Sequence, residues 1–159
     1  FNLAGLQTAY TIIANETLRK KYRESVAADR IYNNMNWFGP DVLCTAYNQC
    51  EQYVDALCGY IGQNMEYMGE FLKENLPAVK WKKPEAAYMA WVDFRGTGMS
   101  AEEIENCIVK KAHIGAELGT WFGPGGIGFI RFNLACPHKK LEQAMKQLKQ
   151  ACVEMPDRK

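Results

Sequence analysis

The sequence predicts an α+β fold: an antiparallel or mixed sheet with helices packed on one face. Two observations carry this. Apolar residues recur at helical spacing through much of residues 16–76, and near Val79 the spacing switches to an alternation of period two. From there, extended and helical segments follow in the order β-β-α-β-β-α. The composition permits such a core. Of 159 residues, 48% are apolar and 23% charged, the balance of one ordinary globular domain or slightly more.

Residues 7–14 read as a short buried strand, because Ala9, Tyr10, Thr11, Ile12 and Ile13 are β-compatible. Asn15 is suited to cap a helix over 16–28 with Glu16 in its first turn. Leu18, Tyr22 and Val26 give that helix one narrow packing face, and its charge run reads as a solvated face. Residues 31–38 are irregular and polar-aromatic. Pro40 then opens helical sequence that Pro77 stops, with a break expected near 47–50. Val54, Leu57, Cys58, Ile61, Met65, Met68, Phe71 and Leu72 form its apolar stripe.

Short strands are expected at 79–82 and 87–94, the second with Tyr88, Ala90, Val92 and Phe94 on one face and Met89, Trp91 and Asp93 on the other. Ser100 and Glu103 have the spacing of a capping box before a helix carrying Ile104, Cys107 and Ile108. A strand at 114–118, a glycine-rich loop at 119–126 and a strand at 127–134 follow. The last helix is expected at 138–153, with Leu141, Met145, Leu148 and Cys152 inward, and residues 156–159 as a frayed tail.

Several function classes are excluded or disfavoured. Nineteen basic against eighteen acidic residues leave a net charge of +1, without the basic excess that phosphate neutralisation demands of a nucleic-acid binder. No stretch of about 18 apolar residues predicts a membrane span. Six cysteines and two histidines show no zinc-type spacing, so no metal is expected. Cys58, Cys107 and Cys152 read as small buried hydrophobes, which fits a reducing compartment and predicts a cytoplasmic protein. The opening Phe1-Asn2-Leu3-Ala4 is neither a signal peptide nor a translation start, and predicts a chain cut from a longer one.

The sharpest chemical feature is the strand around Arg131. Alternation puts Ile130, Phe132 and Leu134 toward the helices, and Ile127, Phe129, Arg131 and Asn133 on the other face. A guanidinium among apolar residues needs a partner, and its planar fork fits a carboxylate. That carboxylate is either a ligand's or an internal Asp or Glu. The loop Trp121-Phe122-Gly123-Pro124-Gly125-Gly126 precedes this strand, so it is not a phosphate loop, which follows a strand and opens a helix.

At this point the residues resemble a known family. Phe1-Asn2-Leu3-Ala4-Gly5-Leu6-Gln7, Pro84-Glu85-Ala86-Ala87-Tyr88-Met89-Ala90-Trp91-Val92-Asp93-Phe94-Arg95, Gly119-Thr120-Trp121-Phe122-Gly123 and Gly128-Phe129-Ile130-Arg131-Phe132-Asn133-Leu134-Ala135-Cys136-Pro137 are similar to segments of the pyridoxal-phosphate-dependent class I/II aminotransferases (fold type I). They occur in family order and resemble most the C–S β-lyase, or cystathionine β-lyase, branch. The resemblance implies a C-terminal part of such an enzyme, within a three-layer α/β parent. It implies residues 1–76 as a remnant of the large cofactor-binding domain with a long connecting helix, and 77–159 as the small C-terminal domain.

The resemblance makes Arg131 the binder of a substrate α-carboxylate, with Asn133 as a weaker candidate on the same face. The Schiff-base lysine would lie two residues before Phe1, so no catalytic residue is expected in this chain. Lys20, Lys73 and Lys110 sit among charges on helical faces and are not substitutes. Where relatives often place a phosphate-binding arginine, this chain has Gln7. Pyridoxal 5'-phosphate is therefore expected in the intact enzyme and not on this piece. The intact enzyme is expected to be a homodimer that releases pyruvate, ammonia and a thiol from cystathionine or a cysteine-like amino acid. Amino transfer, an inert interaction module and an unrelated ligand-binding α+β domain are the alternatives. Exposed apolar groups at Trp37, Phe38 and residues 1–6 predict self-association of the isolated piece.

Overall fold

Asn15 opens the first helix of the computed structural model, which describes residues 1, 3–29 and 36–153. Packing divides the chain into two units, Phe1–Ala56 and Leu57–Lys159, with the division inside a long helix.

In the first unit, α1 spans Glu16–Ala28. The Asn15 Oδ1 accepts a hydrogen bond from the Leu18 N–H at 3.0 Å, as its side chain requires of a cap. The Arg19 Nη1 donates back to the Ile13 carbonyl at 2.9 Å. The expected packing face of α1 is not buried: Leu18 and Tyr22 are both exposed. α2 spans Gly39–Gln49 with Pro40 in its first turn, and Cys50 separates it from α3, Glu51–Asn75. This is the break expected near 47–50.

The strand expected at 7–14 does not form. A short turn at Ala4–Leu6 leads into Gln7 with a left-handed φ of 49°, and the Thr8 hydroxyl donates back to the Leu6 carbonyl. Among the described residues no other strand pairs with this segment, and Ile12 is 82% exposed. A β-compatible sequence without a ladder partner stays irregular. The ring of Phe1 stacks on Tyr53, and Tyr10 meets Tyr47 edge-on. The irregular segment expected at 31–38 lies partly outside the described residues.

The second unit is built on a four-stranded antiparallel sheet. Its strands are β1 (Lys80–Trp81), β2 (Met89–Asp93), β3 (Glu117–Leu118) and β4 (Phe129–Asn133), in the order β1-β2-β4-β3. Ala90, Val92 and Phe94 from the β2 segment and Ile130, Phe132 and Leu134 from the β4 segment point into the core. Against them pack Met65, Met68 and Leu72 of α3. Ile104 of α4 (Ala101–Glu105) joins the same core, as do Leu141, Met145 and Leu148 of α5 (His138–Val153). One face of the sheet is thus covered by helices.

The capping box before α4 is complete, with Ser100 and Glu103 each bonding the other's backbone N–H. After Glu105 the helix widens to a π-type coil over Asn106–Lys111. It ends at Lys111, and two residues on His113 has a left-handed φ of 53°. Two details depart from expectation. Cys58 is exposed, because burial along the α3 stripe becomes full only from Ile61. Tyr88 is exposed, because it precedes the paired part of β2. Cys107 is buried as expected, and its Sγ lies 3.4 Å from that of Cys152.

One buried polar side chain joins the end of β4 to two helices. Asn64 of α3 is fully buried, and its Nδ2 donates to the carbonyls of Leu134 and Cys136, both at 2.9 Å. Both amide hydrogens are then used, so its Oδ1 accepts from the His138 Nδ1 at 2.8 Å. This requires the proton on Nδ1 of His138. The Tyr60 hydroxyl accepts from the His138 backbone N–H at 2.7 Å, and the Tyr67 ring meets the imidazole edge-on. Replacing Asn64 with Ala leaves two carbonyls and an imidazole N–H unpaired. We expect a loss of about 3 kcal/mol in urea unfolding. A loss below about 1 kcal/mol would mean that water replaces these bonds at little cost.

Among the described residues no helix is long and apolar enough to cross a membrane, and no group of three or more His, Cys, Asp or Glu could hold a metal ion.

Candidate functional site on the open face of the sheet

The alternation that buries Ile130 and Phe132 sends Phe129, Arg131 and Asn133 to the face without helices. Arg131 sits there between two cross-strand neighbours, Trp91 on β2 and Glu117 on β3. The Glu117 Oε2 accepts a hydrogen bond from Nε of Arg131 and lies in ion-pair contact with its Nη2. One face of the guanidinium is covered by the Phe122 ring, whose centroid is 4.5 Å from Cζ. The side chain keeps 30% of its surface exposed, so the group is held but not closed off.

The aromatic rings continue across this face. Phe122 meets Trp91 edge-on at 5.4 Å, and Trp91 stacks on Phe129 at 5.3 Å with 16° between planes. A second guanidinium, that of Arg95, covers Phe129 at 4.6 Å. Arg95 is itself clamped to Asp93, with Nε to Oδ1 at 2.9 Å and Nη2 to Oδ2 at 2.8 Å. The hydrogen bond from the Arg95 side chain is the main reason the Asp93 carboxyl is held below the usual carboxylate range. This clamp takes up the side edge of Arg95, whose side chain is otherwise well exposed.

The loop between β3 and β4 presents Phe122. It consists of two short turns, Gly119–Phe122 and Pro124–Gly126, packed backbone against backbone through the buried Gly119 and Gly126. Asn133 lies on the same face, one pleat beyond Arg131. Its Oδ1 accepts from the Ala135 N–H at 2.9 Å, which shapes the chain leaving β4.

Sequence reasoning placed Arg131 and Asn133 on one face and left the partner of Arg131 open. The structure supplies Glu117. It also supplies Phe122 and Trp91, which the sequence reading treated as loop and strand residues only. The signal for Phe122 was the loop itself, an aromatic pair between glycines just before the arginine strand. Nothing local marked Glu117.

The arrangement suits capture of a small anion with one acidic group and an apolar flank. It does not suit a phosphorylated aldehyde cofactor. Such a group needs a lysine amine and several donors for its phosphate. The described residues in contact with Arg131 supply rings and a carboxylate instead.

With the geometry in view, the class is clear. The chain has the fold of the C-terminal portion of the fold-type-I pyridoxal-phosphate enzymes, and within them it matches the C–S β-lyase branch. It is 36% identical over 151 residues to cystathionine beta-lyase PatB of Bacillus subtilis, covering 95% of this chain and 39% of that protein. The crystal structure of cystalysin from Treponema denticola, which contains pyridoxal 5'-phosphate, superposes with a TM-score of 0.88 at 30% identity, covering 97% of this chain and 39% of that one. The pyridoxal-phosphate-bound C–S lyase of Staphylococcus hominis does so with a TM-score of 0.81 at 29% identity, covering 96% and 39%. No family model matches the sequence. The chain thus spans about two fifths of the length of the relatives it matches.

Proposed function

We propose that this chain supplies the carboxylate-binding part of a pyridoxal-phosphate-dependent C–S β-lyase, with Arg131 as the anchor. The whole protein then cleaves a sulfur amino acid such as cystathionine or cysteine to pyruvate, ammonia and a thiol. The observation that carries this is the place of Arg131: on the open face, partly exposed, between a carboxylate and a ring that orient its fork. Two parallel N–H···O bonds fix a carboxylate in both position and plane. Fixing that end of an amino acid fixes the direction of its Cα–H bond, which is the bond such an enzyme must break. Asn133 is proposed as a supporting residue, holding the chain beyond β4 through Ala135. Residues 1–76 are assigned to the large domain and its connecting helix, and 77–159 to the small domain.

The cofactor of the whole protein is pyridoxal 5'-phosphate in this reading, held by residues outside the described face. We place the enzyme in the cytoplasm as a homodimer. The fully buried thiol of Cys107 suits a reducing compartment, and the exposed Trp37 and Phe38 suit burial against further protein.

The test is product analysis on the whole protein with L-cystathionine as substrate. The expected result is pyruvate and a thiol in equal amounts, with no 2-oxo acid added. Turnover only when a 2-oxo acid acceptor is present, with no pyruvate formed, would overturn the reading in favour of amino transfer.

A further inference from the structure

Arginine can meet a carboxylate on either of two edges. The side edge joins Nε to Nη2, and the end edge joins Nη1 to Nη2. In this structure the side edge of Arg131 is taken: a single oxygen of Glu117, Oε2, accepts from Nε and lies in ion-pair contact with Nη2. One face of the guanidinium lies under Phe122. Among the described residues no group hydrogen-bonds Nη1. The polar surface left for a ligand is therefore the end edge, with one N–H from each terminal nitrogen pointing the same way.

Resting on the reading of Arg131 as the carboxylate anchor, we propose that Glu117 is the positioning residue for the substrate's α-carboxylate. It occupies the side edge so that the fork presents its end edge alone. Three observations support this over a surface ion pair of no consequence. Glu117 lies directly opposite Arg131 in the β3–β4 register, so the backbone ladder sets its reach. Its one oxygen sits on the Nε–Nη2 edge, hydrogen-bonded to Nε and ion-paired with Nη2, which holds the guanidinium by that edge and not only by its charge. The ring of Phe122 restricts the guanidinium from a face, and Trp91, on the opposite neighbouring strand, supports that ring. A long arginine side chain loses much rotamer freedom when it binds a ligand. Glu117 and Phe122 impose that restriction before the ligand arrives.

Two other roles for Glu117 make different predictions. A mere surface pair, with both side chains partly exposed, contributes little to stability or binding. A competitor for the ligand weakens binding, so its removal tightens it. Positioning predicts the reverse: removal loosens binding and leaves later steps alone.

The experiment uses the whole protein loaded with its cofactor and two probes. L-Alanine carries the carboxylate but no leaving group at Cβ, and ethylamine is the same molecule without the carboxylate. Glu117→Ala is expected to raise the dissociation constant of L-alanine about tenfold while leaving that of ethylamine unchanged. With a reactive sulfur amino acid, KM rises by a similar factor and kcat stays within about twofold. Glu117→Gln retains an acceptor oxygen and is expected to restore part of the loss. It also serves as the informative variant if the alanine protein folds poorly.

The proposal is overturned if Glu117→Ala and Glu117→Gln both leave L-alanine affinity unchanged, or if either tightens it. Arg131→Gln separates the two readings. If Arg131→Gln weakens L-alanine and the Glu117 variants do not, the anchor stands and its positioning by Glu117 falls. If Arg131→Gln has no effect either, the anchor itself falls.

Discussion

Arg131→Gln in the whole protein should lower kcat/KM for an amino-acid substrate by about a hundredfold or more, since two charge-assisted hydrogen bonds are lost together. Most of the loss should fall on KM, because the carboxylate is bound equally in the ground state and in the step that follows. Arg131→Lys tests the geometry separately from the charge. An ammonium keeps the positive charge, but it cannot serve Glu117 and a ligand carboxylate on two edges at once, nor lie flat under Phe122. A loss of about tenfold is expected for the lysine variant. Neither change should cost much stability, because the ion pair with Glu117 is partly exposed. Steady-state kinetics beside a thermal melt checks both. If the lysine variant kept full activity, the planar fork would be irrelevant and the anchor only a charge.

How much of this site could be read beforehand depends on how local each signal is. The face that Arg131 occupies was legible, because period-two alternation from Gly128 to Leu134 leaves one choice of which residues go inward. The cap at Asn15, the box at Ser100 and Glu103, and the helix His138–Val153 were legible for the same reason: their signals lie within a few residues. Glu117 was not. It is 14 residues from Arg131, and its strand is only two residues long. A strand that short has no periodicity to read, and its register is set by the glycine turns that follow. The segment 7–14 failed in the opposite way. Its side chains favour a strand, but a strand also needs a ladder partner, and propensity says nothing about that. Cys58 failed through the helix it sits on. The stripe from Val54 to Leu72 is continuous in sequence, yet full burial begins at Ile61, so spacing alone overstated the covered length. The π-type widening over Asn106–Lys111 has no sequence signal that we can identify.

Gly119→Ala should be the most damaging single change in the loop that presents Phe122. A Cβ on Gly119 would overlap the carbonyl oxygen of Gly126 and come within 2.6 Å of that of Phe129. Gly126 faces the mirror problem, because a Cβ there would overlap the carbonyl oxygen of Gly119. Both obstacles are backbone, so no rotamer change relieves them, and the turns at Gly119–Phe122 and Pro124–Gly126 must separate. We expect a stability loss of about 3 kcal/mol, the scale of a forced backbone shift in a packed region. The second consequence is functional. When the turns separate, Phe122 leaves the guanidinium of Arg131 and the edge of Trp91, and affinity for a carboxylate ligand falls with it. Gly125→Ala is the control, because a Cβ there meets nothing within 4 Å. Urea unfolding followed by tryptophan fluorescence, together with the L-alanine dissociation constant, reads both effects. Equal behaviour of the Gly119 and Gly125 variants would mean that close packing of the two turns does not hold Phe122 in place. The ring's contact with Arg131 would then have to be maintained by Trp91 and the sheet alone.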